Sequence, residues 1–595
     1  MKKVWRINNS IDIKKASEIA RDTGISQILS SILVSRGLED SKHIEEFLNP
    51  QLKQLHSPRL MLDMEKAADI IIASIRAGKR IMIYGDYDCD GVTSTAILFK
   101  GLTRCGAKAA YHIPDRIEEG YGMNLQAVEK IAREGYELIV TCDNGISCTS
   151  QVKAAKELGM QVVVTDHHEI PREKLEEGGE RDILPEADAV VNPHRQDDGY
   201  PFKYLCGAGI AFKLVHTLYV KLGLPTKELF QYIELASIGT ICDVVDLVDE
   251  NRVIVSMGLR ILNNTQNIGL RELIKTSSLE NKRIKAWNVG FNIGPSINAT
   301  GRLDSASLSV ELLLTSDKTR AEYLASELRR LNSERQHMTE EAVEKVMLQI
   351  ENSNIRNQKV MVVYQEDIHE SLAGIVAGRI REKYNKPAFV ITRGREGAKG
   401  SGRSIEGYNM FEELSKHKAL LTAAGGHAMA AGLSLPEENI PLFRNDINQY
   451  CQLTEEDLCY KIDVDECIKG EDVCFELVED LEKLEPFGKG NRDVVLMLKN
   501  LYIDRVFLMG RNKDSFKLIC RDSTSLVQLE AVKFFDIDSL RSLLSEEFGA
   551  DMVDSIISNP REVNLKLDIL FRPSVNEWNG RKSIQLSMID YRLSK

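Results

Sequence analysis

The residues best suited to chemistry are three aspartates at alternate positions. Asp86, Asp88 and Asp90 follow a short apolar run, and Gly91 and a Thr/Ser cluster come directly after them. This composition is typical of a helix start, so a buried strand would deliver clustered carboxylates to a strand–helix turn. Three carboxylates so close repel one another unless cations neutralise them. The alternative interpretation is a solvated acidic turn.

More acids and histidines follow later apolar runs. Asp143 begins the sequence Asp143-Asn-Gly145 after one run, and Asp166-His-His168 follows the next. Asp243 interrupts an apolar stretch at 229–245 that is predicted to be a helix. A carboxylate in such surroundings needs a partner when it is buried. That partner is either a metal or a hydrogen bond from a helix end or the backbone.

The candidate metal ligands are four carboxylates and one imidazole. Oxygen-rich sites with imidazole and no thiolate suit Mn²⁺ or Mg²⁺ better than a structural Zn²⁺. This many carboxylates can bridge two ions, and paired ions stabilise both oxygens of a phosphoryl displacement. Cys89 and Cys142 lie beside ligands and are predicted to be small buried residues. The candidate ligands are Asp88, Asp90, Asp143, His167 and Asp243.

These side chains need a scaffold that brings several strand ends together. Helical stretches such as 124–134 and 149–158 alternate with short β-branched runs at 80–85, 107–113, 137–141, 161–165 and 189–192. The alternation predicts an α/β protein with a mainly parallel, doubly wound sheet, in which ligands bind beyond the carboxyl ends of the strands. The acids, the histidines and Arg116 all follow strands and fall at that edge. A random solvated surface would not place them so selectively.

A second, smaller α/β unit is predicted at about 355–445. It has strands at 359–364 and 387–392, a helix near 372–384, and glycine-rich turns at 397–403 and 424–427. From residue 373 to 408 there are eight Lys/Arg and three Glu, a local excess of five positive charges. Glycines flank Ser401 and Arg403, and exposed backbone N–H groups with arginine suit phosphate. The alternative is a solvated basic face.

The C-terminal part reads as a small β-barrel. Five strands at 496–502, 515–520, 528–533, 564–571 and 583–589, with one helical insertion at 537–557, predict an OB-type fold. The last hairpin carries Trp578 beside Arg581. A single tryptophan is more often part of a core, but its place beside a basic turn allows base stacking.

The domain organisation follows from these patterns. We expect an N-terminal helical extension, a catalytic domain, connecting helices that include a long charged helix at 305–349, the second α/β domain and the barrel. Their predicted ranges are 1–60, 61–285, 286–354, 355–450 and 456–595.

Composition restricts the class of protein. The 595 residues suffice for several domains, and 43% hydrophobic with 28% charged residues is ordinary for a globular protein. No apolar run reaches membrane-spanning length, and the N-terminus lacks the apolar core of a signal peptide. Eleven cysteines without a Cys-x-x-Cys pair fit reduced thiols in a cytoplasm. A net charge of −12 argues against a positively coated surface, but only local charge governs a nucleic-acid groove.

Several of these segments resemble the DHH phosphoesterase superfamily. Four of its motifs are matched at 85–91, 143–145, 166–168 and 239–245, and Ala424-Gly-Gly-His427 resembles the motif of the DHH-associated domain. Further segments resemble the single-strand-specific exonucleases of that superfamily, in order along the chain, at 113–122, 200–203, 205–209, 297–303, 485–491 and 576–581. Ser296 departs from the pattern, since that position is often Arg in the family, and the departure weakens one expected phosphate contact.

The resemblance implies a fold and an activity. It implies a cleft between two α/β domains, an OB-fold barrel, and removal of 5′-mononucleotides from single-stranded DNA with Mn²⁺ or Mg²⁺, in DNA repair and recombination. It also implies roles for particular residues. The five candidate ligands bind metal, Asp86 supports them, and His168 contacts the scissile phosphate. The residues expected to contact the substrate are Arg116, Tyr121, Ser401, Arg403, Trp578 and Arg581, with the catalytic His427 close by.

Three other functions stay open. A phosphodiesterase of short oligonucleotides or cyclic dinucleotides would need neither the barrel nor the Arg116 segment. A pyrophosphatase would lack the nucleic-acid machinery, and a non-catalytic replication scaffold would lose carboxylates that are all present here. The expected partners are single-stranded DNA, a single-strand-binding protein and a RecQ-type helicase, with no membrane association and a monomeric state.

Overall fold

The computed structural model describes residues 3–7, 12–120, 122–175, 178–394, 397–525, 527–578 and 580–594. Contacts divide them into two units. The first comprises residues 51–460 and 488–491, and the second comprises residues 3–50, 461–487 and 492–595. None of the helices in the described part of the chain combines the length and the apolar composition that a membrane-spanning helix needs. All eleven cysteines are free thiols.

The N-terminal segment is helical as predicted, except at its start. Its elements are strand β1 (Lys3–Ile7) and helices α1 (Ile13–Thr23), α2 (Gln27–Ser35) and α3 (Ser41–Leu48). The helical expectation is wrong for residues 3–7, because tertiary contacts override the local pattern. Trp5 Nε1 donates a 2.7 Å hydrogen bond to Asp590, and the strand pairs with a later strand of the same unit. The helix starts follow capping rules, since the side chains of Asp12, Ser26 and Asp40 accept backbone N–H groups.

The first unit contains the predicted parallel sheet. Its elements are α4 (Met64–Arg76), β2 (Arg80–Tyr84), α5 (Cys89–Arg104), β3 (Lys108–His112), α6 (Leu125–Arg133), β4 (Leu138–Thr141), α7 (Thr149–Glu157), β5 (Gln161–Thr165), β6 (Arg172–Lys174), β7 (Glu180–Asp182) and β8 (Ala189–Val191). The strand order is β3-β2-β4-β5-β8, all parallel, and the small β6–β7 hairpin stands apart. Since β2, β4 and β5 are adjacent, the residues that follow them meet at one sheet edge. The doubly wound α/β prediction is confirmed.

A set of helices covers this sheet. They are α8 (Gly207–Leu222), α9 (Phe230–Cys242), α10 (Asp249–Leu262), α11 (Ile268–Thr276), the short α12 (Ala286–Asn288), a π-helix (Val289–Ile293), α13 (Gly294–Leu303), α14 (Ser307–Leu314) and α15 (Lys318–Glu351). The single helix predicted at 305–349 is two helices. The chain breaks at 315–317 because the Asp317 side chain accepts the Arg320 N–H and starts α15 afresh. One apolar core includes residues from the sheet, α5, α8, α9 and α15.

The second α/β region of this unit has its own five-stranded sheet. Its elements are β9 (Met361–Tyr364), α16 (Ala373–Tyr384), β10 (Ala388–Arg393), β11 (Ala398–Arg403), α17 (Met410–Lys416), β12 (Ala423–His427), β13 (Ala430–Leu435) and α18 (Ile440–Gln449). The strand order is β12-β13-β11-β10-β9. The two glycine-rich segments predicted as turns are strands β11 and β12, so that prediction is wrong.

Glycines stand in β11 because side chains from neighbouring elements occupy the space beside them. A Cβ atom on Gly402 would lie 2.3 Å from Met410 Sδ and 2.6 Å from the Phe389 ring. Glycine inside a strand often marks such a close approach. The sequence shows the glycines but not the side chains packed over them, which is why a turn was the local prediction.

The second unit is built on a β-barrel. Its elements are β14 (Tyr460–Val464), β15 (Glu466–Cys467), α19 (Phe475–Glu482), β16 (Leu496–Met509), β17 (Ser515–Arg521), β18 (Gln528–Lys533), α20 (Ile537–Phe548), α21 (Val553–Ser558), β19 (Lys566–Trp578) and β20 (Arg581–Leu593). The order β16-β17-β18-β20-β19 closes through β16–β19 pairing, which confirms the OB-type barrel. Helices α1 to α3 contribute Ala16, Ile19, Leu29 and Ile44 to the barrel's apolar core.

Candidate metal centre

The turn after β2 presents the first acids. Gly85 is required there, since a Cβ atom would lie 2.0 Å from Thr95 Oγ1. Asp88 is the N-cap of α5, where its side chain accepts hydrogen bonds from the Asp90 and Gly91 N–H groups at 3.0 and 3.1 Å. This geometry turns the chain from strand to helix as predicted, and Asp86 and Asp90 become buried on either side.

The start of α8 fixes the Asp90 carboxylate. The Gly207 and Ala208 N–H groups donate to its two oxygens at 2.6 and 2.9 Å. Unsatisfied N–H groups at a helix start favour a negative charge. Gly207 also permits the approach, because a Cβ atom there would lie 2.7 Å from the Asp143 side chain. This contribution is not apparent from the sequence, because Gly207 lies 117 residues from Asp90.

His167 lies close to three acids of this site, two of which, Asp143 and Asp243, come from other elements. Its Nε2 atom lies 3.0 Å from Asp143 Oδ1 and 3.7 Å from both Asp90 Oδ2 and Asp243 Oδ2. Asp143 follows β4 with a left-handed φ of 62°, and Asp243 caps the end of α9. Asp243 therefore stands at a helix end with its carboxylate in the cluster, and its role as a metal ligand stays a prediction.

Potential ligand atoms form three overlapping sets, and the atoms of each set lie within 4.8 Å of one another. Asp143 and His167 each belong to two sets. The five predicted ligands all take part, together with Asp86 and His168. The sets are Asp86–Asp88–Asp143, Asp90–His167–Asp243 and Asp143–His167–His168.

The electrostatics of the cluster are unfavourable without a cation. Burial and the Asp88 carboxylate raise the pKa of Asp86, and they raise the pKa of Asp90 to about 6. Burial and the charge on Asp90 raise the pKa values of Asp143 and Asp243. Burial and the neighbouring His168 lower the pKa of His167 to about 3, so its imidazole is held neutral, the form that binds a metal.

Asp166 orients His168, a role that is absent from the sequence-based predictions. Its Oδ1 atom lies 2.7 Å from His168 Nδ1 and accepts the His167 N–H at 2.7 Å, while Oδ2 accepts the Ile146 N–H at 2.9 Å. Burial opposes a charge on His168, but Asp166 outweighs it and raises the pKa of His168 to about 9. The signal was available in the motif, since an acid directly precedes two histidines.

A cavity of about 440 Å³ opens beside this cluster. Tyr87, which lies between Asp86 and Asp88, is part of its wall, and Arg116 stacks over the Tyr87 ring at 4.6 Å. Ser401 on β11 also lines the cavity. Other lining residues include Glu370, Ser371, Lys399, Gly425 and Gly432.

Arginines close to this cavity interact with one another. Burial and the charges of Arg381 and Arg116 lower the pKa of Arg403, and Arg403 Nη1 donates to the Gly402 carbonyl at 2.8 Å. Burial and Arg116 lower the pKa of Arg302 to about 9. Arg302 donates to the Ser371 carbonyl at 2.5 Å and so ties α13 to the second sheet region. Like charges gathered this way favour an anionic ligand.

The other predicted site residues lie elsewhere or outside the described residues. Arg403 and His427 lie beside the cavity rather than in its lining. Arg403 is close enough to the lining residue Arg116 for their charges to interact, and His427 is exposed at the end of β12, whose first residues line the cavity. Trp578 ends β19 and pairs through its backbone with the exposed Arg581 of β20, in the second unit. The substrate contact predicted for Tyr121 lies outside the described residues.

Three family models match the chain. The model of the DHH family, N-terminal domain, matches residues 80–240, the DHHA1 domain matches 357–453, and the RecJ OB domain matches 464–590. These matches cover both α/β regions and the barrel, and they define a DHH-type phosphoesterase architecture.

Relatives extend the match to nearly the whole chain. The single-stranded-DNA-specific exonuclease RecJ of Bacillus subtilis is 37% identical over 99% of this chain and 71% of its own length. RecJ of Haemophilus influenzae is 31% identical over 97% of this chain and 98% of its own. The chain belongs to the RecJ family.

Two solved structures have the same architecture. RecJ of Thermus thermophilus in complex with Mn²⁺ matches with a TM-score of 0.82 and 27% identity, over 100% of this chain and 80% of that one. The Mg²⁺ complex of the same protein matches with a TM-score of 0.77 and 26% identity, over 100% and 79%.

Proposed function

We propose that this protein is a metal-dependent exonuclease that hydrolyses single-stranded DNA from the 5′ end and releases 5′-mononucleotides. The observation that carries the proposal is the position of Tyr87. Its neighbours Asp86 and Asp88 belong to the acidic cluster, and its own side chain lines the cavity with Arg116 and Ser401. An anion pocket and a metal centre therefore share one turn. The family members named above are exonucleases specific for single-stranded DNA.

The residues present fit divalent metal ions. Asp86 Oδ1 is buried and has no hydrogen-bond partner among the described residues, and such an atom costs free energy unless something binds it. The donor set is carboxylate oxygen with imidazole nitrogen, which suits Mn²⁺ or Mg²⁺. The overlap of three ligand sets on Asp143 and His167 supports two ions. When bound, the ions would stabilise charge on both oxygens of a phosphoryl displacement.

The chain's own groups would position the substrate. Five side chains would hold the metals, and the buried Asp86 would support them. The five are Asp88, Asp90, Asp143, His167 and Asp243. Asp166 fixes the His168 ring, which would contact the scissile phosphate. Arg116, Ser401 and Arg403 would hold the 5′-terminal phosphate through charge-assisted hydrogen bonds.

An exonuclease of this kind would act in DNA repair and recombination as a monomer. A single-strand-binding protein and a RecQ-type helicase would supply and present the strand. The OB-type barrel supports the single-strand preference, since such barrels bind extended strands.

Digestion of end-labelled DNA tests the proposal. Single-stranded and duplex DNA, each labelled at the 5′ or the 3′ end, would be incubated with Mn²⁺, Mg²⁺ or chelator. We expect immediate release of the 5′ label as mononucleotide from single strands, delayed release of the 3′ label, and no release in chelator. Release from the 3′ end first would refute the polarity. Hydrolysis confined to dinucleotides would favour a phosphodiesterase of short oligonucleotides.

A further inference from the structure

An exposed pair of aromatic side chains lies on an element that the proposed chemistry does not use. The rings of Trp287 and Phe291 stack with centroids 5.2 Å apart and planes 22° from parallel. They are 62% and 61% exposed. Scattered exposed apolar residues are common, but two stacked rings presented together mark an interaction surface.

The local backbone holds the pair outward. Ala286, Val289 and Ile293 are buried and anchor α12 and the π-helix, which leaves Trp287 and Phe291 on the solvent side. π-Helices are rare and often occur at functional sites. The aromatic pair is therefore a feature of a rigid segment rather than of a loop tip.

This segment contacts two acidic turns of the metal centre. A Cβ atom on Gly294 would lie 2.3 Å from Cys242 Sγ, which directly precedes Asp243, and Gly290 packs close to Ile241. Further along, Asn298 of α13 accepts a 2.9 Å hydrogen bond from the Cys89 N–H, beside Asp88 and Asp90. The segment that carries the aromatic pair is therefore packed directly against residues that adjoin the candidate metal ligands.

The charge around the pair suits a polyanion. Residues 280–292 contain three basic residues and one acid, Glu280, so the segment has a net charge of +2 within a chain of −12. Of the basic residues, Lys282 and Arg283 are exposed. Aromatic faces next to basic side chains are the pattern by which proteins bind single strands without sequence preference.

We propose that Trp287 and Phe291 form a stacking platform for a base of single-stranded DNA, placed beyond the phosphodiester that is cut. Lys282 and Arg283 hold the phosphates beside it. This inference rests on the proposed function for the position of the strand. The platform gives the catalytic unit an affinity for longer strands that does not depend on the barrel.

Steady-state kinetics of the full chain test the platform. Trp287→Ala and Phe291→Ala should each raise KM for a long oligo(dT) by about fivefold to a hundredfold, the usual effect of removing a base-stacking ring. KM for a 5′-phosphorylated dinucleotide, which is too short to reach the platform, should change by less than about twofold. Trp287→Phe keeps a ring and should restore most of the affinity. Tyr323→Ala is the matched control, because Tyr323 is 58% exposed on α15, and it should behave as wild type.

Binding in chelator separates the platform from catalysis. Oligo(dT) should quench the tryptophan fluorescence of the wild type, and Trp287→Phe should lose part of that quenching. If the wild type binds oligo(dT) through Trp287 but hydrolyses no single strand, the proposed function fails and the platform stands. Unchanged KM and quenching in the Trp287 variants would overturn the platform, as would an equal loss of rate on the dinucleotide. KM and quenching would also stay unchanged in these variants if the aromatic pair binds a partner protein instead of DNA.

Discussion

The Asp166 carboxylate fixes the His168 ring through the 2.7 Å contact with Nδ1. Replacement by Asn removes the charge and weakens this orientation. Loss of such an orienting partner typically costs about tenfold to a hundredfold in activity or metal affinity. We therefore expect Asp166→Asn to lower kcat by that factor while the thermal transition stays cooperative. The control is Asp197→Asn, since Asp197 is 62% exposed. Wild-type kcat in Asp166→Asn would contradict the assigned role.

Arg116 and Arg403 should decide the preference for a 5′-phosphate. A charge-assisted hydrogen bond contributes about 1.5–3 kcal/mol, which corresponds to roughly tenfold to a hundredfold in affinity. We expect Arg116→Ala, and separately Arg403→Ala, to reduce by that factor the ratio of kcat/KM for 5′-phosphorylated over 5′-hydroxyl strands. Arg133→Ala on α6 is the control. Variants that lose rate on both substrates but keep the wild-type ratio would show that these arginines serve the fold or the chemistry instead.

Sequence reasoning at this scale succeeds where a side chain follows a strand directly. The spacing predicts that Asp88, Asp143 and His167 lie at one sheet edge, and they converge there. Arg302 was missed because its contact with the Ser371 carbonyl joins residues 69 positions apart. The donors from Gly207 and Ala208 to Asp90 were missed for the same reason. Local spacing does not report such distant partners.

Among the strands, β11 depends most visibly on glycine. Gly402→Ala would force a Cβ atom to within 2.3 Å of Met410 Sδ, and overpacking of this kind costs about 1–3 kcal/mol. We expect a lower thermal transition temperature for the first unit. Gly432→Ala on the neighbouring β13 is the matched control, because the nearest atom to its Cβ would lie 3.9 Å away. Equal melting of the two variants would contradict the packing explanation.

In the barrel, Asp504 on β16 accepts hydrogen bonds from Arg521 and Arg561 at 2.6 and 3.0 Å. These contacts, the one with Arg521 above all, lower the pKa of Asp504. A depressed folded-state pKa stabilises the fold above the unfolded value of about 3.9, and this stabilisation disappears as the pH falls through the folded value. We expect Asp504→Asn to unfold more easily in urea at neutral pH.

The urea midpoints of Asp504→Asn and wild type should converge in acid, below the folded-state pKa. Asp551→Asn is the control, because Asp551 is exposed. A difference between Asp504→Asn and wild type that is independent of pH would show that the variant acts through packing rather than through the charge.

Fold prediction at the element scale was most reliable for regular alternation. The five strands of the first sheet and the five barrel strands were predicted, since their β-branched runs are periodic and bounded by turn residues. Strands β11 and β12 were not predicted, because their glycine-rich sequences lack the alternation of apolar and polar residues that indicates a strand. Strand β1 was not predicted either, because the strand with which it pairs, β14, lies more than 450 residues away in the sequence.

At the scale of the whole molecule, the second unit is discontinuous in sequence. Ile19 and Leu29 of the N-terminal helices share a core with Leu498 and Phe571 of the barrel. Deletion from residue 461 onward should therefore expose these apolar side chains and cause aggregation. A chain of residues 51–460 should stay monomeric and hydrolyse dinucleotides, with weaker binding of long strands. Size-exclusion chromatography and kinetics of the two truncations check this, and a monodisperse chain of residues 1–460 would contradict it.

The central claim is that the acidic cluster holds the metal ions on which hydrolysis depends. The most direct measurement is Mn²⁺ titration of the chelator-treated protein, followed by both metal binding and release of a 5′-labelled nucleotide. Wild type should bind two Mn²⁺ ions per chain and regain activity as they bind. Asp143→Ala should stay folded, bind fewer ions and show no activity at any Mn²⁺ concentration. Full activity in excess chelator, or in purified Asp143→Ala, would contradict the account.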